Sequence, residues 1–416
     1  MAHLLVIELP GGNDFDLLEA ACAQGHSYSF ASGRLAHYRQ QPQVWPWVAR
    51  ANQCIDINGL GADALQNRMR TLHAQTPWDA VLCLIDIRIV DAALIAQALG
   101  LPFLNPQSAV LLRDKYAVRA HLQAQGITQP PFALACNNED LQAAVHTLGL
   151  PVLIKPVDGF GSQNIVLLRD PGDLDPLLTP LDTMLPSGVQ YGLGVAANDR
   201  LLVERWMPGT VVACDTFSRN GQHLLLGTNE KMYFDPPSFA IRGGCFTPWR
   251  GQDPALQAYV FALLDAVGFD WGAAHVELMM TDTGPQLIEI NPRLVGAKIA
   301  RLMSLAWALP IHALLIDLHL DRRIDLPSAP HNFAATQWVS AAHFGVFAGL
   351  REPAVLPSEI RCFETVKATG DTIGPPMDNA DRIAYVMACA PSPEQAQKAA
   401  LDYVQACEVI YQGQDG

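Results

Sequence analysis

Residues 277–293 read ELMMTDTGPQLIEINPR, and this stretch constrains the chain more than any other. Two short apolar runs flank the turn Thr281-Asp282-Thr283-Gly284. Apolar runs around an Asp- and Gly-bearing turn predict strand, tight turn, strand. Each predicted strand carries a carboxylate, Glu277 on the first and Glu289 on the second, although Glu and Asn are poor strand formers. Asn291, Pro292 and Arg293 follow at once. Three oxygen-bearing side chains and one guanidinium thus converge near one end of the hairpin. Hard oxygen donors suit Mg²⁺, which takes a carboxylate or two plus oxygens from substrate phosphates. The planar fork of Arg293 suits a phosphate or a developing oxyanion.

Composition narrows the setting. At 416 residues the chain is too long for one ordinary core and predicts about two or three domains. Half of it is hydrophobic, ample for a large interior. The formal net charge of −14 disfavours nucleic acid or an anionic membrane as partner. The nine cysteines are scattered singly, with no CxxC pair, which fits reduced thiols in the cytoplasm better than disulfides or a zinc site. The opening MAHLLVIELPGG lacks a basic start and carries Glu8, so it predicts a first strand. Leu302–Leu320 is apolar but holds Pro310, His312 and Asp317, which predicts two buried helix pieces and no membrane span.

Along the chain, apolar runs at His3–Leu9, Ser27–Ala31, Cys54–Ile57, Ala80–Ile85 and Leu101–Leu104 alternate with helical spacing at Asp14–Ala23, Gly61–Gln75 and Ile89–Leu99. This predicts a parallel α/β sheet over residues 1–105. One helix is expected over Gln107–Gln125 and another over Asn137–Leu148, with Gly149 as its C-cap. Pro151–Pro156 predicts a buried strand with Lys155 at its exit, and Ile165–Leu168 its return after a Gly- and Ser-bearing loop that can approach phosphates. Residues 171–200 read as irregular. Strands are expected near Leu201–Glu204, Val211–Phe217 and His223–Gly227, and a helix over Pro254–Gly268. Between them Asn229–Pro248 reads as a long functional loop. Beyond Phe333, strands at Ala334–Val339, Glu359–Thr365 and Arg382–Ala388 and a helix over Pro393–Glu408 suggest a small α+β unit.

The ordered set is Lys115 on a helix, Lys155 at a strand end, a glycine loop, the Glu204-x-Trp206-Met207 segment and the Glu277…Glu289-x-Asn291-x-Arg293 hairpin. In this order it resembles the ATP-grasp fold. The runs NPRLVGAKIARLMSLAWALPI, EKMYFDPPSFAIRGGCFTP and GDTIGPP extend the likeness to the L-amino-acid ligase branch of carboxylate–amine ligases, the dipeptide synthetases. The resemblance implies an N-terminal parallel α/β domain (1–105), a linker helix with a lid subdomain (106–200), a C-terminal ATP-binding core with the Mg²⁺ site (201–330) and a small α+β domain (331–416).

It further implies an ADP-forming ligase that takes small-molecule carboxylate and amine substrates, with a homodimer as a possible assembly. Lys115 and Lys155 would contact the nucleotide phosphates, and Gly161 and Ser162 would close over them. The main chain from Glu204 through Trp206 to Met207 would read the adenine edge. Glu277, Glu289 and Asn291 would hold one or two Mg²⁺, with Mn²⁺ an alternative, and Arg293 would stabilise an acyl phosphate. Gly209 is followed by Thr210 and Val211 where relatives often carry an acid, which leaves the usual ribose contact unassigned. The branch tends to read E-T-G-H-x-x-P before the hairpin, whereas this chain has Arg242-Gly243-Gly244-Cys245-Phe246-Thr247-Pro248. An arginine prefers a carboxylate, so a substrate with an extra acidic group is expected there. Arg242, Lys231, Cys245, Gly296 and Asp86 are the candidate substrate contacts. A non-catalytic ATP-binding protein and a cyclo-ligase of the same fold remain open at this point.

Overall fold

The computed structural model describes residues 1–10, 14–159, 165–170, 200–234, 240–296, 298–327, 332–377 and 379–413. Gly161, Ser162 and the stretch 171–199 lie outside them. The chain begins with β1 (His3–Ile7), α1 (Asp16–Ala23), β2 (Ser27–Ser32), the short helices α2 (Leu35–Arg39) and α3 (Trp45–Val48), β3 (Cys54–Asp56), α4 (Ala62–Gln75), β4 (Ala80–Cys83) and α5 (Ile89–Leu99). The strands form a parallel sheet in the order β3-β2-β1-β4. From Leu4 on, β1 is continuously apolar because both its faces are covered. Leu5 and Ile7 pack with Leu65 and Met69 of α4, while Leu4 and Val6 pack with Leu17 and Leu18 of α1. α5 ends, as expected, at Gly100 in the left-handed region. The strand expected at Leu101–Leu104 does not form: Pro102 lacks the N–H a ladder needs, and the segment runs straight into the next helix.

The helix expected over Gln107–Gln125 is two helices, α6 (Pro106–Leu112) and α7 (Lys115–Ala124). Asp114 breaks it by accepting the N–H of Ala117 at 2.9 Å, and an N-cap needs a non-helical backbone. Lys115 thereby opens α7. Then come β5 (Phe132–Ala135), α8 (Asn138–Leu148), β6 (Val152–Pro156), β7 (Val166–Leu168) and β8 (Leu201–Arg205), with a second sheet in the order β5-β8-β6-β7.

The third sheet holds the hairpin. Its members arrive as β9 (Thr210–Arg219), β10 (Gln222–Tyr233), β11 (Ile241–Pro248), then α9 (Pro254–Ala266), β12 (Trp271–Thr281), β13 (Gly284–Asn291), α10 (Ile299–Trp307), α11 (Ile311–His319) and β14 (Phe333–Val339). After β15 (Gly345–Arg351), β16 (Ile360–Thr365) and β17 (Thr372–Ile373) come β18 (Ala384–Ala390), α12 (Pro393–Ala406) and β19 (Glu408–Tyr411). The sheet order is β13-β12-β9-β10-β11-β14-β18-β16, so the C-terminal strands continue the sheet that carries the hairpin. β15 and β19, which the sequence does not announce, pair with each other beside β17. The long loop expected over Asn229–Pro248 is mostly strand: β10 runs on to Tyr233 and β11 resumes at Ile241. Cross-strand pairing with β9 and β14 outweighs the polar, glycine-rich composition.

This sheet and the N-terminal one share their cores. Val276 and Leu278 of β12 join the cluster of Leu5 and Ile7, and Phe217 of β9 joins that of Leu4 and Val6. α10 and α11, the expected two helix pieces, are buried in the second cluster and meet at 98°. Among the described residues no single helix is long and apolar enough to cross a membrane.

Candidate active site

In β12 and β13, Glu277 and Glu289 are direct partners, and so are His275 and Asn291. Two carboxylates opposite each other repel unless cations offset them. Here each has a lysine: Lys231 Nζ lies 2.5 Å from Glu277, and Lys115 Nζ lies 3.4 Å from Glu289. A bulge follows, where Glu277 pairs with Glu289 but Leu278 pairs with Leu287. Ile288, left over, offers its carbonyl to Arg119 at 3.0 Å. Asn291 donates its amide to Glu289 at 2.9 Å.

Behind Glu277 a buried chain continues. His275 lies 3.2 Å from Glu277 through Nε2 and 2.8 Å from Asp215 through Nδ1. Burial alone would raise the Glu277 carboxyl, but Lys231 and His275 hold it well below its ordinary range. For His275 burial lowers the pKa, and its two carboxylate neighbours more than reverse that. Asp215 stands alone in the apolar run of β9, and a lone acid in such a run is the sequence signal for a buried partner.

Arg293 reaches across to the carboxyl end of β4. Its Nε and Nη2 approach Asp86 Oδ2 at 2.7 and 2.6 Å, and Nη1 donates to the carbonyl of Leu294. Asp86 opens a 3-10 turn, Asp86–Arg88, at the edge of a parallel sheet where ligands gather. Burial pushes its carboxyl up, and Arg293, Arg113 and Lys115 together bring it below the usual value. The expected substrate contact Asp86 is thus engaged with the expected catalytic arginine. At the neighbouring strand end the buried Glu8 adopts φ 56° and accepts from Gly33 N, Ser32 Oγ and Tyr38 OH, a cluster the sequence did not announce.

The second sheet supplies another buried cluster. Lys155 Nζ lies 2.6 Å from Glu204 Oε1, and Arg119 approaches Glu204 Oε2 at 3.0 Å. Burial raises the Glu204 carboxyl less than Lys155 and Arg119 lower it, so the group stays ionised. Burial also depresses the Lys155 ammonium, against the pull of Glu204. The role expected of Glu204 changes here. Its main chain lies between β5 and β6, paired with Phe132 and Leu153, and is taken by the ladder. Trp206 donates its N–H to the carbonyl of Pro151 at 3.0 Å, so the chain leaves the sheet at Met207-Pro208-Gly209. Lys115 also donates to the carbonyl of Gly159 at 2.5 Å, which ties the start of α7 to the loop after β6.

The remaining candidates separate. Lys231 is on Glu277, as above. Arg242 is exposed on β11, and among the described residues it makes no ion pair. Gly296 lies just before α10, with open space around a notional Cβ. Cys245 is corrected: it is 3% exposed and packs with Ala335, Val386 and Ala400, and burial pushes its thiol up to about 12. Its side chain belongs to the C-terminal core.

Among the described residues no three His, Cys, Asp or Glu side chains converge on one metal position. Two opposed carboxylates and one amide are nevertheless a fitting donor set for Mg²⁺, which draws its other oxygens from phosphate and water. Lys115, Lys155 and Arg293 surround them with cations, as a polyphosphate requires.

The family comparisons, rather than this geometry, make the chain an ATP-grasp ligase. Residues 148–301 match the ATP-grasp domain, residues 18–103 the ATP-grasp N-terminal domain, and residues 338–412 the L-amino acid ligase C-terminal domain 2. The chain belongs to the ATP-grasp superfamily, as an ADP-forming enzyme resembling the L-amino acid ligases. The uncharacterised protein y4rH of Sinorhizobium fredii is 25% identical over 91% of this chain and 79% of its own length. The L-arginine-specific L-amino acid ligase of Bacillus subtilis is 23% identical over 55% of this chain and 54% of its own. Carnosine synthase 1 of Mus musculus is 28% identical over 53% of this chain, which spans 27% of that protein. The crystal structure of an L-amino acid ligase from Bacillus licheniformis shares the fold, with a TM-score of 0.79 at 19% identity and 99% of each chain covered. Proteins of this family use ATP and divalent metal ions.

Proposed function

We propose that the protein joins an amino acid to another amino acid or carboxylic acid, in specialised metabolism, through an acyl phosphate. The observation that carries this reading is the opposed pair Glu277 and Glu289, each neutralised by a lysine, with Arg293 held over the same hairpin by Asp86. Glu277, Glu289 and Asn291 would hold Mg²⁺, which supplies charge neutralisation on the transferred phosphoryl group. Lys115 and Lys155 would bind the nucleotide phosphates, and Met207 would border the adenine.

In the first step a substrate carboxylate oxygen bonds to the γ-phosphorus and the bond to ADP breaks. In the second an amine nitrogen attacks the acyl carbon, phosphate leaves with the bonding pair, and the nitrogen loses a proton. Arg293 stabilises the oxyanion, since donors aimed at developing charge act most strongly in a water-poor site. Arg242, exposed on β11, supports a substrate bearing an extra carboxylate. The test is release of ADP and phosphate over a matrix of carboxylates and amines, with mass spectrometry of the products. Tight ATP binding without turnover for any pair would replace this reading with that of a nucleotide-binding protein.

A further inference from the structure

β11 is irregular at the residue assigned to substrate. Met232 pairs with Gly243 and Tyr233 with Ile241, so Arg242 is an extra residue without a partner on β10. Such a bulge re-aims its side chain, and it holds only if the flanking backbone is fixed. On its other side β11 outruns β14, whose pairing covers Gly243–Phe246 and stops short of Ile241.

The N–H of Ile241 is instead taken by a side chain from the C-terminal region. It donates to Asn379 Oδ1 at 2.9 Å, across 138 residues of sequence. Asn379 is itself anchored. Its carbonyl accepts from Arg382 Nε at 2.8 Å, and the Arg382 guanidinium lies 3.8 Å from the centroid of Trp338 on β14, a cation–π contact. Beyond the bulge, Gly243 lies so close to β14 that a Cβ there would come within 2.5 Å of the Thr336 carbonyl. Arg242 is therefore clamped on both sides by groups outside the ATP-grasp match.

We infer that Asn379 is a positioning residue for Arg242, through which the C-terminal region sets the enzyme's affinity for its acidic substrate. The inference rests on Arg242 reading substrate, as proposed above. Asn379→Ala removes the acceptor and Asn379→Asp retains one. Hydrogen exchange of the whole 416-residue chain reads the latch directly: Asn379→Ala speeds exchange in residues 240–248 about tenfold, the order expected for one lost hydrogen bond, and Asn379→Asp restores protection.

In turnover, Asn379→Ala raises KM about five- to tenfold for the substrate whose KM Arg242→Ala also raises, with kcat held within about twofold. Unchanged exchange in Asn379→Ala overturns the latch, even where Arg242→Ala still raises KM. Faster exchange with an unchanged KM overturns the positioning role while Arg242 stays a substrate ligand. If Arg242→Ala itself moves no KM, the substrate reading falls, and with it the role in affinity; exchange still decides whether the latch exists.

Discussion

Arg293 directs two nitrogens at a single oxygen of Asp86, at 2.7 and 2.6 Å, and so ties the hairpin to the edge of the N-terminal sheet. The pair holds the guanidinium at the end of the hairpin that carries Glu289. Removing one partner of a buried pair strands the other charge, at about 3–5 kcal/mol. Asp86→Ala is expected to lower the urea midpoint accordingly and to abolish turnover. Asp86→Asn, which keeps an acceptor for Arg293, is expected to retain more of the stability. Equal urea midpoints for Asp86→Ala and the parent would show that the pair carries no structural load.

Glu277 and Glu289 face each other, and relief of their repulsion offsets the loss of either. Glu289→Gln is expected to lower Mg²⁺-dependent ADP release by about a hundredfold or more, since charge stabilisation is the main catalytic term. Its melting temperature is expected within a few degrees of the parent. Retained turnover at saturating Mg²⁺ would remove Glu289 from the metal site.

Arg242 faces solvent with no ion-pair partner among the described residues. Arg242→Ala is expected to raise KM for a dicarboxylic substrate by roughly tenfold, the value of about one charge-assisted hydrogen bond, and to leave KM for ATP unchanged. Comparison of a dicarboxylate with its monoamide checks the assignment.

Asp16 on α1 receives Arg301 at 2.6 and 2.7 Å. Burial pushes its carboxyl up, and Arg301 and Lys298 outweigh it, bringing the pKa from 3.8 to about 2. A depressed folded pKa contributes stability above the unfolded value and loses it as pH falls through the folded one. The contribution is about 2 kcal/mol at neutral pH, lost progressively between about pH 5 and pH 1. Asp16→Asn is expected to cost about that much at pH 7 and nothing near about pH 1 in denaturant titrations. A constant difference across that range would exclude the linkage.

Cys245 is buried with its thiol pushed up to about 12, whereas Cys136 is exposed. A thiol-directed reagent is expected to label Cys136 in the native protein and spare Cys245. Cys245→Ala is expected to retain turnover within about twofold, with a modest stability cost for the small void. Loss of turnover with an intact fold would return Cys245 to the substrate site.

What the sequence determined by itself was local and periodic. The hairpin at 277–293, the parallel sheet, the Gly100 cap and the two helices of 299–319 follow from apolar spacing and turn chemistry within a few residues of themselves. The family likeness followed because ATP-grasp residues recur in a fixed order along the chain. Tertiary structure decided what depends on remote partners. Asn229–Pro248 became strand because β9 and β14 lie alongside it. Glu204 became an ion-pair anchor because β5 and β6 claim its main chain. Cys245 left the candidate site because its side of the sheet meets α12. Asp86 met Arg293, and Ile241 met Asn379, across separations of 207 and 138 residues that no local pattern encodes. Periodicity reports which face of an element is apolar; only the packed fold reports what that face meets.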